Sequence, residues 1–106
     1  MLLKQNLFVS GEGGYHSYRI PALVLAANGD LLAFCEGRRD ARGDAGKIDL
    51  LLRRSADDGA TWSEPAVVWA DGENTCGNPC PVIDPASGDV LLFSTWNLGT
   101  DREKAI

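Results

Sequence analysis

Short apolar runs recur along the chain: Leu2 to Val9, Tyr18 to Ala26, Leu31 to Glu36, Ile48 to Arg54, Ala66 to Ala70, Pro79 to Ile83 and Val90 to Trp96. Each has the length and the β-branched or aromatic content of a strand. The separators are Gly11-Glu12-Gly13-Gly14, Ala27-Asn28-Gly29-Asp30, Asp57-Asp58-Gly59, Asp71-Gly72 and Ser87-Gly88-Asp89. Their residues accept positive φ or start turns. No long window keeps a 3.6-residue apolar period, and the glycines would penalise a helix. The pattern predicts an all-β meander with little or no helix.

A weak repeat narrows the architecture. Leu23-Val24-Leu25, Asn28-Gly29-Asp30 and Leu31-Leu32-Ala33-Phe34 are echoed by Pro81-Val82-Ile83, Ser87-Gly88-Asp89 and Val90-Leu91-Leu92-Phe93. An apolar strand, a turn and a second apolar strand recurring in this way favour a propeller over a sandwich or barrel. A blade cannot bury both faces by itself, and Glu103-Lys104-Ala105-Ile106 stop without a turn or cap. The expectation is a partial propeller domain over residues 1–106, about two blades, truncated at the C-terminus, although a chain of this length can form a small domain.

Composition excludes some functions. A net charge of −5 provides no general basic field for nucleic acid. Arg38, Arg39, Arg42, Arg53 and Arg54 nevertheless crowd together among Asp40, Asp44 and Asp49, the pattern of a mixed-charge site. Cys35, Cys76 and Cys80 are odd in number, so no fully paired disulfide framework follows, and a reduced, mostly buried set is expected. Cys76-Gly77-Asn78-Pro79-Cys80 is not a usual zinc spacing, and neither a metal nor a cofactor is expected. No apolar stretch approaches the roughly 20 residues of a membrane span. The opening Met1 to Asn6 breaks too early for a signal peptide's apolar region, while a longer exported precursor is left open.

Ser55-Ala56-Asp57-Asp58-Gly59-Ala60-Thr61-Trp62 has the form Ser-x-Asp-x-Gly-x-Thr-Trp. Asp, Gly and Thr suit a hairpin turn, and Trp suits a staple onto the sheet. Upstream stand Tyr18-Arg19-Ile20-Pro21, Ala33-Phe34-Cys35-Glu36-Gly37-Arg38 and a loop with Asp44, then Arg53-Arg54. The first segment resembles the Asp-box of sialidases and related propellers, and the second resembles the sialidase Phe/Tyr-Arg-Ile-Pro motif. The order and spacing of all of them resemble the sialidase family over nearly the whole chain.

The resemblance implies the sialidase fold, a six-bladed β-propeller of which this chain would form about the first two blades. It implies an exo-α-sialidase, a retaining glycoside hydrolase that releases terminal sialic acid from glycoconjugates. Sialylated glycans would then be the partners, with no nucleic acid and no membrane span. Arg19 matches the first arginine of a triad that grips the substrate carboxylate, for which a planar guanidinium fork is suited. Arg38 matches a further arginine of the sugar pocket, and Asp44 matches the catalytic acid/base, with Asp40 as a rival. Ser55, Asp57, Gly59, Thr61 and Trp62 carry over as structural Asp-box residues.

Other assignments stay open. Glu36 either orients Arg38 through an ion pair or takes an outward strand position. Asn78, in a stretch resembling the family's Asn-Pro-x-Pro segment, either offers its amide to the sugar or caps a turn. Arg39 and Arg42 suit solvated loop positions, His16 suits a loop at the pocket mouth, and Asp101-Arg102 match loosely. Sialidases use a tyrosine nucleophile. Neither Tyr15 nor Tyr18 occupies its motif, so this chain alone is expected to be inactive. The competing readings are a sialoglycan-binding pseudoenzyme and a non-catalytic Asp-box propeller.

Overall fold

The structure, a computed structural model, describes residues 4–41 and 45–101. Six strands and no helix are present among them: β1 (Ser17–Leu25), β2 (Leu31–Arg38), β3 (Ile48–Ser55), β4 (Ala66–Trp69), β5 (Thr75–Ile83) and β6 (Val90–Asn97). Strands β1 to β4 pair antiparallel in sequence order as one complete four-stranded blade. Strands β5 and β6 form a hairpin of the next blade, joined to the first by a parallel pairing of Ile48 with Thr75. Strand β5 also packs against β1 and β2. The fold is all-β, one four-stranded blade and the first hairpin of a second, as expected for part of a β-propeller.

Six of the seven apolar runs are strands. The described part of the first run, residues 4–9, is irregular. Its polar groups are taken up by side chains instead of a ladder: Leu7 C=O accepts from Arg53 Nη1 at 2.6 Å, and Gln5 Oε1 accepts from Trp62 Nε1 at 3.0 Å. Apolar content alone does not make a strand when no neighbouring edge offers its hydrogen bonds.

The core lies in β2 and β3. Leu32 to Arg38 are all buried, and Ile48, Leu50 and Leu51 are almost fully enclosed. By contrast, Leu23, Leu25, Val67, Leu91 and Phe93 are exposed. These apolar residues lie on sheet faces of the kind that neighbouring blades cover in a propeller.

The repeat runs deeper than its sequence echo. In β1, Arg19 pairs with Glu36 and Ala22 with Phe34, so three steps on β1 match two on β2. In β5, Gly77 pairs with Thr95 and Cys80 with Phe93, the same mismatch. Each is a β-bulge placed at an Xaa-Pro step, where Ile20 has φ +58° and Asn78 φ +52°. Proline lacks the N–H that a ladder needs, and a bulge is where a strand tolerates that loss.

The Ser-x-Asp-x-Gly-x-Thr-Trp segment forms the β3–β4 turn. Asp57 Oδ1 accepts from Ser55 Oγ and Thr61 N, and Oδ2 accepts from Thr61 Oγ1. Ser55 Oγ accepts from Gly59 N, while Trp62 Nε1 donates to Gly59 C=O as well as to Gln5. The hydroxyl and amide donors hold the Asp57 carboxyl at about 2, below its ordinary 3.8. A depressed folded value contributes stability that is complete above 3.8 and is lost as pH falls toward 2. Asp57→Asn is therefore expected to lower the melting temperature at neutral pH and to flatten its dependence between pH 4 and pH 2, as followed by circular dichroism.

The exposed apolar faces generate a second expectation. The 106-residue polypeptide expressed alone should associate and bind a hydrophobic dye. A monomeric, cooperative melt in ultracentrifugation and calorimetry would contradict it.

Candidate functional site

The β1–β2 register decides which side chains share a face. Ser17 lies opposite Arg38 and Arg19 opposite Glu36. Because alternate residues of a strand face the same side, Ser17, Arg19, Glu36 and Arg38 gather on one face at one end of the blade. The β1 bulge directly follows Arg19, and bulges commonly re-aim a side chain at a site. Arg19 is exposed and lines a cleft of about 360 Å³ with Ser10, Ser17 and Tyr18.

Arg38 and Glu36 are both buried, at 3% exposure. Glu36 Oε1 accepts from Arg38 Nε at 3.0 Å and from Nη2 at 2.7 Å. Of the two roles open to Glu36, the structure takes the ion pair with Arg38; the outward position is excluded by burial. Glu36 Oε2 reaches the second hairpin, where it accepts from Asn78 N at 2.7 Å. Asn78 is exposed, and its Nδ2 donates to Thr95 Oγ1 at 2.9 Å. It caps no turn: it sits at the β5 bulge, where a left-handed conformation is most accessible to asparagine among non-glycine residues.

The opposite face of the same strands holds a second polar cluster. The Tyr15 ring lies against Gly37, where an added Cβ would stand 2.8 Å from the ring. Tyr15 OH donates to the buried Asp49 Oδ2 at 2.7 Å, and Lys47 Nζ donates to Asp49 Oδ1 at 2.8 Å. The Arg39 guanidinium stands 5.5 Å from the centre of the same ring. Burial, reinforced by Asp49, pushes the Tyr15 phenol up to about 12. Burial also raises Tyr18, whose hydroxyl donates to Glu12 C=O at 2.6 Å. Both phenols are engaged as protonated donors, which is unsuited to nucleophilic attack.

The β2–β3 connection is tied at its base. Arg39 N–H donates to Lys47 C=O at 3.0 Å, Ser17 Oγ to Ala41 C=O at 3.3 Å and Thr75 Oγ1 to Gly46 C=O at 2.8 Å. Asp44 and Arg42 belong to this connection and lie outside the described residues, as does Arg102. Asp40, in the same connection, and His16, beside it, are exposed, and His16 N–H donates to Arg39 C=O.

The arginine cluster read from the sequence is not one site. Arg53 pairs in register with Ala33 and Arg54 with Leu32, five and six residues along β2 from Arg38. At about 3.4 Å per residue that is about 17 Å or more. Arg53 instead bonds Leu7 and Ser63 carbonyls, and Arg54 lies 3.7 Å from Asp30. Among the cysteines, Cys35 and Cys76 are buried and Cys80 is exposed, all as free thiols. Burial raises the Cys35 thiol to about 11, and its Sγ contacts Arg19 C=O beneath the bulge. Among the described residues, no group of three His, Cys, Asp or Glu side chains is placed to hold a metal ion, and no helix is long and apolar enough to cross a membrane.

The chain is 42% identical over 93 residues to an exo-alpha-sialidase of Aspergillus fumigatus, covering 82% of this chain and 23% of that protein. It is 37% identical over 99 residues to a sialidase of Micromonospora viridifaciens, covering 89% of this chain and 15% of that one. The chain belongs to the sialidase family. A solved structure, the Hadza microbial sialidase Hz136, superposes with a TM-score of 0.80 at 26% identity, over 90% of this chain and 20% of that one. No protein-family profile matches the chain. The chain thus spans less than a quarter of these two sialidase relatives.

Sequence reasoning singled out Arg19 and Arg38, left Glu36 open between two positions, and did not single out Gly77, Thr95 or the Tyr15–Asp49–Lys47 cluster. Lys47 and Asp49 stand two apart at the start of a strand, a spacing that gives one shared face. Nothing local points to Tyr15, which lies 34 residues away from Asp49. Tyr15→Phe removes a donor from a buried carboxylate, which costs about 1–3 kcal/mol. Chemical denaturation of the parent protein should show that loss.

Proposed function

We propose that the protein of which this chain is part is an exo-α-sialidase, a retaining glycoside hydrolase acting on terminal sialic acid of glycoconjugates. The observation that carries the reading is the gathering of Arg19 and Arg38 on one blade face beside Asn78, in a chain whose relatives are named sialidases. Arg19 and Arg38 serve as cations for the sugar's carboxylate side, and Asn78 as a polar wall. A fixed guanidinium offsets the substrate's own negative charge and orients the ring through paired donors.

Asp44 is the acid/base in this reading, by its place in the sequence after Glu36-Gly37-Arg38. As an acid it protonates the departing glycosidic oxygen; as a carboxylate it then takes a proton from the water that hydrolyses the glycosyl-enzyme. The nucleophile in this reading is a tyrosine outside this chain. A phenol suits the task because an anionic nucleophile would be repelled by the carboxylate beside the anomeric carbon.

The test is hydrolysis of a fluorogenic sialoside by the full-length parent. Asp44→Ala should lower kcat by about 10²–10⁴-fold, while Asp40→Ala should leave kcat close to the parent value. Binding of sialosides by a folded parent with no turnover would replace the enzyme reading with a sialoglycan-binding one.

A further inference from the structure

Gly77 of β5 occupies the bulge position that Arg19 holds in β1, since each is the last paired residue before the mismatch. The first hairpin has a long cation there and the second has no side chain. The Glu36 carboxylate of the first hairpin lies where a Gly77 side chain would begin: a Cβ added there would stand 2.6 Å from Glu36 Oε2. With that space open, Oε2 reaches the Asn78 N–H while Oε1 holds Arg38. A carboxylate at 3% exposure is stable only when its charge and lone pairs are met. Here the partners come from both blades.

We propose that Glu36 is a positioning residue of the site and that Gly77 is its structural complement. One carboxylate sets the Arg38 guanidinium and the Asn78 wall relative to each other, so the two blades present their substrate-facing groups in a single arrangement. The inference rests on the sialidase reading for its effect on turnover, but the Glu36–Gly77 coupling is a property of the fold.

Two measurements on the full-length parent test it. Glu36→Gln keeps an acceptor for Asn78 N–H and removes the charge that fixes Arg38. It is expected to raise KM for a sialoside on the order of tenfold, with a smaller change in kcat, because the interaction acts through substrate binding. A purely structural role would lower the melting temperature and leave KM of the folded protein unchanged.

The second measurement is a thermal-unfolding cycle of Gly77→Ala, Glu36→Ala and the double variant. Gly77→Ala should lower the melting temperature in the parent, where its methyl meets Oε2. It should have little further effect once Glu36 is alanine, a non-additivity diagnostic of direct contact. An unchanged KM in Glu36→Gln, or equal Gly77→Ala decrements in both backgrounds, overturns the proposal. A parent that neither hydrolyses nor binds sialosides removes the sialidase reading and the positioning role with it, and the unfolding cycle then reads the coupling on its own.

Discussion

A carboxylate buried in a β-sheet must have partners for both oxygens, and Glu36 finds them in different blades. On its own strand it takes Arg38, two residues along the same face; across the blade junction it takes the backbone of Asn78. Removing one partner of such an arrangement leaves a buried charge, which is far more costly than the pair is stabilising. The arginine side and the asparagine side of the candidate site are therefore linked through one group. Beyond this link the blades meet through the Ile48–Thr75 pairing and the packing of β5 on β1 and β2.

The bulges explain how a repeating fold produces a non-repeating site. Both hairpins carry the same three-against-two mismatch at an Xaa-Pro step. In each, the residue before proline takes a left-handed conformation, which is strained for Ile20 and milder for Asn78. The backbone device is thus shared, and the difference lies in what precedes it: Arg19 in one hairpin and Gly77 in the other. Strain retained at a β-branched isoleucine next to an arginine is the pattern expected where aim matters more than local stability.

The two faces of the first blade divide the work. One face presents Arg19 over Glu36 and Arg38, while the other packs Tyr15 on Gly37 and closes Asp49 with a phenol and an ammonium. Gly37 is consequently needed for the tyrosine and not for chain flexibility. The Asp-box lies at the far end of β3, where its carboxylate is consumed by Ser55 and Thr61. Both oxygens of its aspartate accept bonds from within the turn, in keeping with a turn-forming role.

The sequence by itself determined the features that depend on neighbouring residues. The spacing of seven apolar runs marked the six strands that form, the Asn-Gly-Asp and Ser-Gly-Asp turns specified two hairpins, and the Ser-x-Asp-x-Gly-x-Thr-Trp segment specified its own turn. All three are set within a few residues by side-chain alternation and turn chemistry. The family motifs also singled out Arg19 and Arg38. Only the tertiary structure decided that Glu36 is paired inward, that Arg53 and Arg54 stand a strand's length from Arg38, that Asn78 sits at a bulge and that the run after Leu2 is no strand where described. Each of these depends on partners 42 to 57 residues away or on register between strands. A one-dimensional pattern carries no record of which distant backbone will arrive at a given carboxylate, because register is set by the packing of whole strands.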